Sequence, residues 1–522
     1  MLPRIVGAAA GGLLRPAGAL AARGFAAAAA AAAGPHFCIV GSGPAGFYTA
    51  DKLLKKFGED ARVDIVEALP TPFGLVRSGV APDHADTKNV INQFTALAPG
   101  DVSNMSSSLL TASLFRFCCS QNVINQFTAL AQDPRISFFG NVRVGRDLSL
   151  DELRSYYNAV VLSYGAESDR KLSCPGEDLP GVYSAREFVW WYNGHPAYRD
   201  LPIDLSRTHS VAIAGLGNVA VDCARVLLKS PDDLAKTDIC SHAVEQLRKS
   251  AVREVHLLGR RGPVQAAFTP KELRELLSLE GVQIKMDPEV FKVSPACEAE
   301  MKATRMKKRV FDILSKALAE PKQGDKSLYL HFLRSPAEVI GKDGHAAEVK
   351  LEKTRLEPAG EGKDQKALGT GEFETIPADL VLKSIGFKSV GIPGVAFDSR
   401  RGVIPNQAGQ VYTEDGSSFE PGLYVCGWLK RGPSGIIGTN LVDAEQTVDT
   451  MASTKDSFRP VEAQQPGAAG LRQLLNERGV QVVDFKGWQA VDAEEVRRGA
   501  AQGKPRDKLT SVDEMLQIAA AA

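Results

Sequence analysis

The chain lacks several things that would direct its reading elsewhere. It has no net charge, 62 lysines and arginines balancing 62 aspartates and glutamates. Without an overall field it has no general affinity for nucleic acid, so any charged partner must be met by a local patch. Its eight cysteines include no CxxC or CxxxxC pair, which argues against a redox-active disulfide and against a cysteine metal clamp; no metal site is expected. Cys118 and Cys119 are adjacent, too close for a clamp, and the thiols read as reduced and structural. Beyond the N-terminal segment no apolar run is long enough to span a membrane. With 522 residues and 44 % hydrophobic content, the chain can bury the cores of two or three soluble domains.

Acidic residues are absent from the first 50 positions, Asp51 being the first, while Arg4, Arg15 and Arg23 punctuate long alanine runs. That composition is the mark of a mitochondrial transit peptide, assigned here to residues 1–34. The interspersed arginines and glycines disfavour a secretory leader, which would carry one compact apolar stretch.

Two glycine fingerprints are present. The first, Gly41, Gly43 and Gly46, follows the apolar run Phe37-Cys38-Ile39-Val40, and the next apolar run, Val63 to Val66, ends on Glu67. The second, Gly215, Gly217 and Ala220, follows Val211 to Ala214, and its next strand ends on Gly259, Arg260 and Arg261. In such units glycines permit a tight turn and close approach of a pyrophosphate to a helix N-terminus. A carboxylate at the following strand end accepts from a ribose diol, whereas arginines suit a 2′-phosphate. The pair therefore implies FAD at the first turn and NADPH at the second. Asp222 is either an ordinary first-turn carboxylate or part of the chemistry, and His84, in Ala81-Pro82-Asp83-His84, is either a surface histidine or a functional one. Lys302 to Lys316 reads as one helix with five cations at one end, a solvated face or a docking patch for an acidic partner.

Strands alternate with helices throughout, as in a doubly wound α/β fold. The predicted arrangement is two Rossmann-like dinucleotide-binding domains, the NADPH domain (169–380) inserted into a discontinuous FAD domain (35–168 and 381–522). Asp379 to Phe387 reads as the strand returning the chain. One region breaks the pattern: NVINQFTALA at 89–98 recurs identically at 122–131. The serine-rich segment between the copies reads as a poorly ordered, dispensable insert.

The stretches GSGPAGFYTA (41–50), PFGLVRSGVAPDH (72–84), VVLSYGAE (160–167), GLGNVAVDCAR (215–225), GRRGP (259–263), AFTPKELRE (267–275), GWLKRGPSGIIGTN (427–440) and DAEEVRRGAAQGKPRDKL (492–509) resemble the mitochondrial NADPH:adrenodoxin (ferredoxin) oxidoreductases. The resemblance runs from Phe37 to Leu516, apart from the repeat and insert, a second NVINQF copy being foreign to that family. It implies FAD contacts from Ala45, Glu67, Leu75, Val144 and Trp428, with Gly435, Ile436 and Ile437 near the flavin. NADPH would meet Leu216, Gly217, Asn218, Val219, Arg260, Arg261, Glu272 and Gly435. Arg305 and Arg309 would dock the ferredoxin, and His84 and Asp222 would move protons near the flavin.

The implied reaction is hydride transfer from NADPH to FAD, then two one-electron transfers to a 2Fe-2S ferredoxin. It would take place in the mitochondrial matrix, in a monomer with peripheral inner-membrane association, serving sterol hydroxylation or iron–sulfur assembly. A flavin-containing monooxygenase and a non-catalytic nucleotide-binding interaction protein are the alternatives. Twin arginines, basic helix and matrix address together favour the reductase.

Overall fold

The structure is a computed structural model that describes residues 34–84, 120–358, 360, 364–462 and 466–522, the side chains of 120–123 excepted. The first fingerprint sits in a seven-stranded sheet. Its strands, from edge to edge, are Asn406–Gln407, Gln410–Tyr412, Phe419–Val425, Ala159–Leu162, His36–Val40, Arg62–Val66 and Ile136–Phe139. The last five are mutually parallel. Strands buried on both faces are mainly apolar, and these are, apart from polar residues such as the buried Asp64, whose carboxylate accepts from Tyr157 Oη at 2.8 Å. Phe37, Ile39 and Val161 pack with Phe47 and Leu53 of the helix Pro44–Phe57, whereas Cys38, Val40, Val160 and Leu162 pack with Leu471 and Leu475 on the other side.

The second fingerprint sits in a six-stranded, wholly parallel sheet in the order Val182–Ser184, Leu380–Lys383, Ser210–Ala214, Glu254–Gly259, Lys326–Phe332, Val282–Met286. A three-stranded antiparallel sheet, Arg334–Lys342, His345–Glu357 and Lys366–Pro377, packs Val349, Leu351 and Ile376 onto Ala212, Leu258 and Val381. In both large sheets the fingerprint strand lies between the next strand in sequence and a much later one. Each glycine turn therefore opens at a topological switch point, where α/β sheets bind ligands.

The chain passes from the first sheet to the second and back, and the two crossings pair with each other as antiparallel strands, Asp169 opposite Phe387 and Ser168 opposite Lys388. This is the expected α/β architecture of one dinucleotide-type unit inserted into another.

Two local expectations change. Within the run Asp379 to Phe387, Leu380–Lys383 is an internal strand of the second sheet, paired with Val211 to Ala214; a boundary at 380 falls on that strand. The basic segment is two helices, Pro295–Ala303 and Arg305–Ala319, because Thr304 is extended (φ −132°, ψ 100°). The second repeat copy lies in the helix Ser120–Ala131, where Phe127 stacks on Phe47 with centroids 4.7 Å apart. The first copy, the insert as far as 119, Cys118, Cys119 and the leader to 33 lie outside the described residues. Six described cysteines are free thiols. No described helix is long and apolar enough to cross a membrane.

Candidate functional site

The two glycine turns are built alike, bond for bond. Gly41 N–H donates to Val66 O and Gly215 N–H to Leu258 O, each at 2.8 Å, tying the turn to the neighbouring strand. Gly41 has φ +105°, and a Cβ there would lie 2.6 Å from Tyr164 Cα; Gly215 has φ +132°, and its Cβ would run into Ser384 O. The third position packs as closely. A Cβ on Gly46 would strike Gly41 O, and Ala220 is fully buried. Only the middle glycines, Gly43 and Gly217, face open space. Each is the N-cap of its helix, Pro44–Phe57 or Asn218–Leu228, with no side-chain cap. Elsewhere Ser149, Ser184, Thr269 and Ser294 cap helices through their hydroxyls. Both fingerprint helices thus leave first-turn N–H groups and positive dipole ends free for an anion, and both cradles fit a pyrophosphate.

The strand ends differ. Glu67 follows Val66, and its carboxylate accepts from Ser42 N–H (2.9 Å), Ser42 Oγ (2.6 Å) and Leu69 N–H (3.1 Å). Burial raises its pKa, and the bonds from Ser42 pull the other way. The equivalent place in the second unit is Gly259, where a Cβ would meet the Leu216 side chain. Arg260 is exposed and Arg261 half-buried, 3.6 Å from Asp364. Their backbones are fixed by Thr354 Oγ1 donating to Arg260 O (2.7 Å) and Leu333 N–H donating to Arg261 O (3.1 Å). Asn218 Oδ1 accepts from Thr269 N–H at 2.8 Å, joining the glycine turn to the helix Pro270–Leu277 that carries Glu272. Ala267 N–H donates to Leu216 O (2.9 Å), and Val219 sits half-buried beside it.

Between the halves lies a charged cluster only partly foreseen. His84 Nε2 is 3.0 Å from Glu272, 3.1 Å from Glu275 and 3.9 Å from Asp222. Arg225, on the same helix as Asp222, donates to Asp83 (2.7 and 3.0 Å), Asp222 (2.8 Å) and Glu272 (3.4 Å). Burial opposes charge on His84, but the flanking Glu272 and Glu275 outweigh it and lift the imidazole to about 9. Burial likewise pushes Asp222 up, to about 6, despite Arg225 and His84. Asp83 is held down at about 2 because Arg225 overcomes its burial. Asp83, Arg225 and Glu275 carry no motif of their own; only the PFGLVRSGVAPDH, GLGNVAVDCAR and AFTPKELRE stretches hint at them. The His84, Glu272 and Glu275 donor atoms lie within 4.8 Å of one another, the spacing of a cation site. However, the Arg225 guanidinium stands 2.8 Å from the same His84 nitrogen and repels a metal ion.

The remaining expected residues fall around the first cradle. Ala45 is buried where a Cβ on Gly427 would touch its methyl at 2.6 Å. Leu75 opens the short helix Leu75–Ser78, after Gly74, whose Cβ would lie 3.2 Å from Gly43 Cα. Val144 is buried in the same unit's core. Trp428 stacks on Phe387, from the crossing strands, at 5.3 Å. Gly435 (φ +82°) and Ile436 lie on an exposed loop, with Ile437 half-buried where it turns into the helix Thr439–Ser453. Arg305 and Arg309 stand apart on the second unit. Both are exposed, and neither forms an ion pair among the described residues. Their neighbours are neutralised, Lys307 by Glu300 and Asp364, Lys308 by Asp312.

The pyridine nucleotide-disulphide oxidoreductase family matches residues 35–318. The chain is 49 % identical over 497 residues to the mitochondrial NADPH:adrenodoxin oxidoreductase of Arabidopsis thaliana, covering 93 % of this chain and 95 % of that protein. The chain belongs to the NADPH:adrenodoxin oxidoreductase family. The Bos taurus member of the family is 44 % identical, covering 93 % and 92 %. The solved structure of Mycobacterium tuberculosis FprA in complex with NADPH superposes with a TM-score of 0.80 at 39 % identity, covering 93 % of this chain and all of that one. The family resemblance read from the motifs therefore stands, as does the two-unit α/β fold.

Proposed function

We propose that the chain is an FAD-dependent oxidoreductase that takes electrons from NADPH and passes them singly to a ferredoxin. The observation that carries this is the matched pair of open, uncapped cradles with opposite charge at their strand ends, Glu67 against Arg260 and Arg261. The names of the relatives, adrenodoxin and ferredoxin reductases, support the acceptor. Bound FAD supplies the conversion between an electron pair and single electrons.

The chain's residues do the rest. Gly43 and Gly217 admit the two pyrophosphates, with Gly41, Ala45 and Gly46 shaping the first turn and Leu216, Asn218 and Val219 the second. Glu67 accepts from the FAD ribose, while Arg260 and Arg261 grip the 2′-phosphate. Leu75, Val144, Trp428 and the loop Gly435 to Ile437 border the flavin, and Glu272 and Gly435 border the nicotinamide. His84, at Nε2, and Asp222 hold the protons of the site, their affinities lying on either side of neutrality.

Arg305 and Arg309 steer an acidic 2Fe-2S ferredoxin. They lie in the first turns of a helix that has no acidic residue there. Cations at a helix N-terminus oppose its dipole, so local helix stability does not account for them. The FAD unit comprises 35–168 with the C-terminal part of the chain, and the NADPH unit begins at 169 and includes the strand Leu380–Lys383. The acid-free leader and the mitochondrial names of relatives support action in mitochondria; the proposal places it in the matrix, as a monomer at the inner-membrane surface. The test is NADPH-dependent reduction of cytochrome c with a 2Fe-2S ferredoxin as carrier. Turnover should require the ferredoxin; equal turnover without it, or stoichiometric oxygen consumption with substrate hydroxylation, would overturn the reading.

A further inference from the structure

We propose that Arg225 is a positioning residue for the reaction: clasping Asp83 across the boundary between the halves, it holds His84 against Glu272 and Glu275 and balances the carboxylates gathered around it. This deepens the proposed function and rests on it. Arg225 heads the largest fully buried side chains of the described residues, its side chain only 2 % exposed. Its guanidinium spends both edges. Nε and Nη2 reach the two oxygens of Asp83, Nη2 also reaches Asp222 Oδ1 and stands 2.8 Å from His84 Nε2, and Nη1 reaches Glu272 Oε2. Only a planar fork makes that set of bonds; an ammonium in its place is a single point of charge. Asp83 belongs to the loop after the FAD ribose strand, whereas Asp222, Arg225, Glu272 and Glu275 belong to helices of the NADPH unit. The clasp thus fixes how the His84 loop meets the second half.

A merely structural ion pair would be placed with less regard to its neighbours. Here the neighbours are the proton-holding groups. The faces turned toward the cluster carry Asp83 and His84 from the loop, Asp222, Cys223 and Arg225 from the helix Asn218–Leu228, and Lys229 just beyond it. Lys271, Glu272 and Glu275 come from the helix Pro270–Leu277, and Tyr192 from the helix Ala185–Tyr192. The Tyr192 hydroxyl is buried with no hydrogen-bond partner. Four carboxylates face three permanent cations, Arg225, Lys229 and Lys271, so the site is one positive charge short and favours a proton on His84. Arg225 never releases its own proton and is therefore a fixed counter-charge, which holds down the proton affinity of both Asp222 and His84. Asp83 acts in reverse. His84 lowers the affinity of Asp83, so by reciprocity Asp83 strengthens the hold on the His84 proton.

Opposite signs separate this role from simple bracing. In FAD-loaded protein, the pH profile of anaerobic flavin reduction by NADPH is expected to move to higher pH in Arg225→Met, by about one unit. It is expected to move to lower pH in Asp83→Asn and to return toward wild type in Arg225→Lys. The double variant Arg225→Met/Asp83→Asn removes one charge of each sign and leaves the net charge of the cluster unchanged, so it keeps the comparison available if a single variant fails to fold; its profile should lie between the two. An NMR titration of the His84 imidazole, identified by its loss in His84→Gln, gives the same signs with no turnover. Shifts of one sign in both single variants, or slower reduction with the profile unmoved, would reduce Arg225 to a brace and overturn the proposal. A wild-type flavoprotein that NADPH does not reduce would instead overturn the proposed function, and the NMR titration would still decide on Arg225.

Discussion

The two glycine turns share a backbone and differ in the charge set beside it. Gly41 and Gly215 donate to equivalent strand carbonyls at the same 2.8 Å, both lie at positive φ, and both stand against a later strand. Phe47 N–H returns to Gly43 O and Val221 N–H to Gly217 O, at 3.1 and 3.2 Å, opening the two helices identically. On the proposed function each turn holds a pyrophosphate, and what differs between the units is the end of the neighbouring strand. There, one unit places a carboxylate already oriented by Ser42. The other places a glycine that makes room for Leu216, then two arginines.

The sharpest way to break this symmetry is to fill one turn at a time. Gly41→Ala puts a methyl group into the Ser163–Tyr164 backbone at a φ that L residues rarely adopt, a cost of about 2–4 kcal/mol or more. Purified Gly41→Ala protein is expected to carry little or no FAD by absorbance. Gly215→Ala should keep its flavin colour but lose NADPH binding. Loss of flavin from both, or from neither, would refute the division of labour.

Next in size is the strand end. Replacing Arg260 and Arg261 with neutral residues removes charge-assisted bonds of about 1.5–3 kcal/mol each. The ratio of kcat/KM for NADPH over NADH should fall by about 10²-fold or more, and unchanged discrimination would sink the assignment. A smaller effect is expected at the docking face. Arg305→Glu/Arg309→Glu should lower the ferredoxin-coupled rate about tenfold at low ionic strength, with the gap closing as salt rises. A gap indifferent to salt would show that these arginines do not steer the partner.

The smallest effect concerns the clasp between the units. The His84 pKa is raised from 6.5 to about 9 in the folded protein, so its stabilising interaction is complete below pH 6.5 and is lost as pH rises through 9. The difference in Tm between wild type and His84→Gln should therefore narrow from pH 6.5 to 9. A constant difference across that range would show that the charge of His84 does not hold the units together.

What could be read from the sequence was what is local in it. Glycine spacing, Glu67 and the Arg260–Arg261 pair lie within single βαβ units, and the structure places them together at the turns. The His84 cluster is different in kind. His84 and Glu275 are 191 residues apart and Arg225 and Asp83 142, so no window of sequence shows that they meet, and only the family resemblance pointed to His84, Asp222 and Glu272. The residue types of Arg225 and Asp83 announce nothing until burial deprives them of water. Neither glycine nor proline marks the break at Thr304. The apolar run Leu380–Lys383 shows its strand character and not its neighbour, so the sequence does not tell which sheet it joins. The three-stranded sheet from Arg334 to Pro377 was not anticipated; its exposed outer strand, KALGTGEFETIP, has too few apolar positions to show a strand period.

The most direct measurement is an anaerobic titration of the purified, flavin-loaded protein with NADPH, followed by addition of oxidised 2Fe-2S ferredoxin. The flavin absorbance should bleach with stoichiometric NADPH, respond far less to NADH, and return as ferredoxin is reduced. A correctly folded protein that stays colourless when supplied with FAD, or whose flavin colour NADPH leaves untouched, would contradict the central claim.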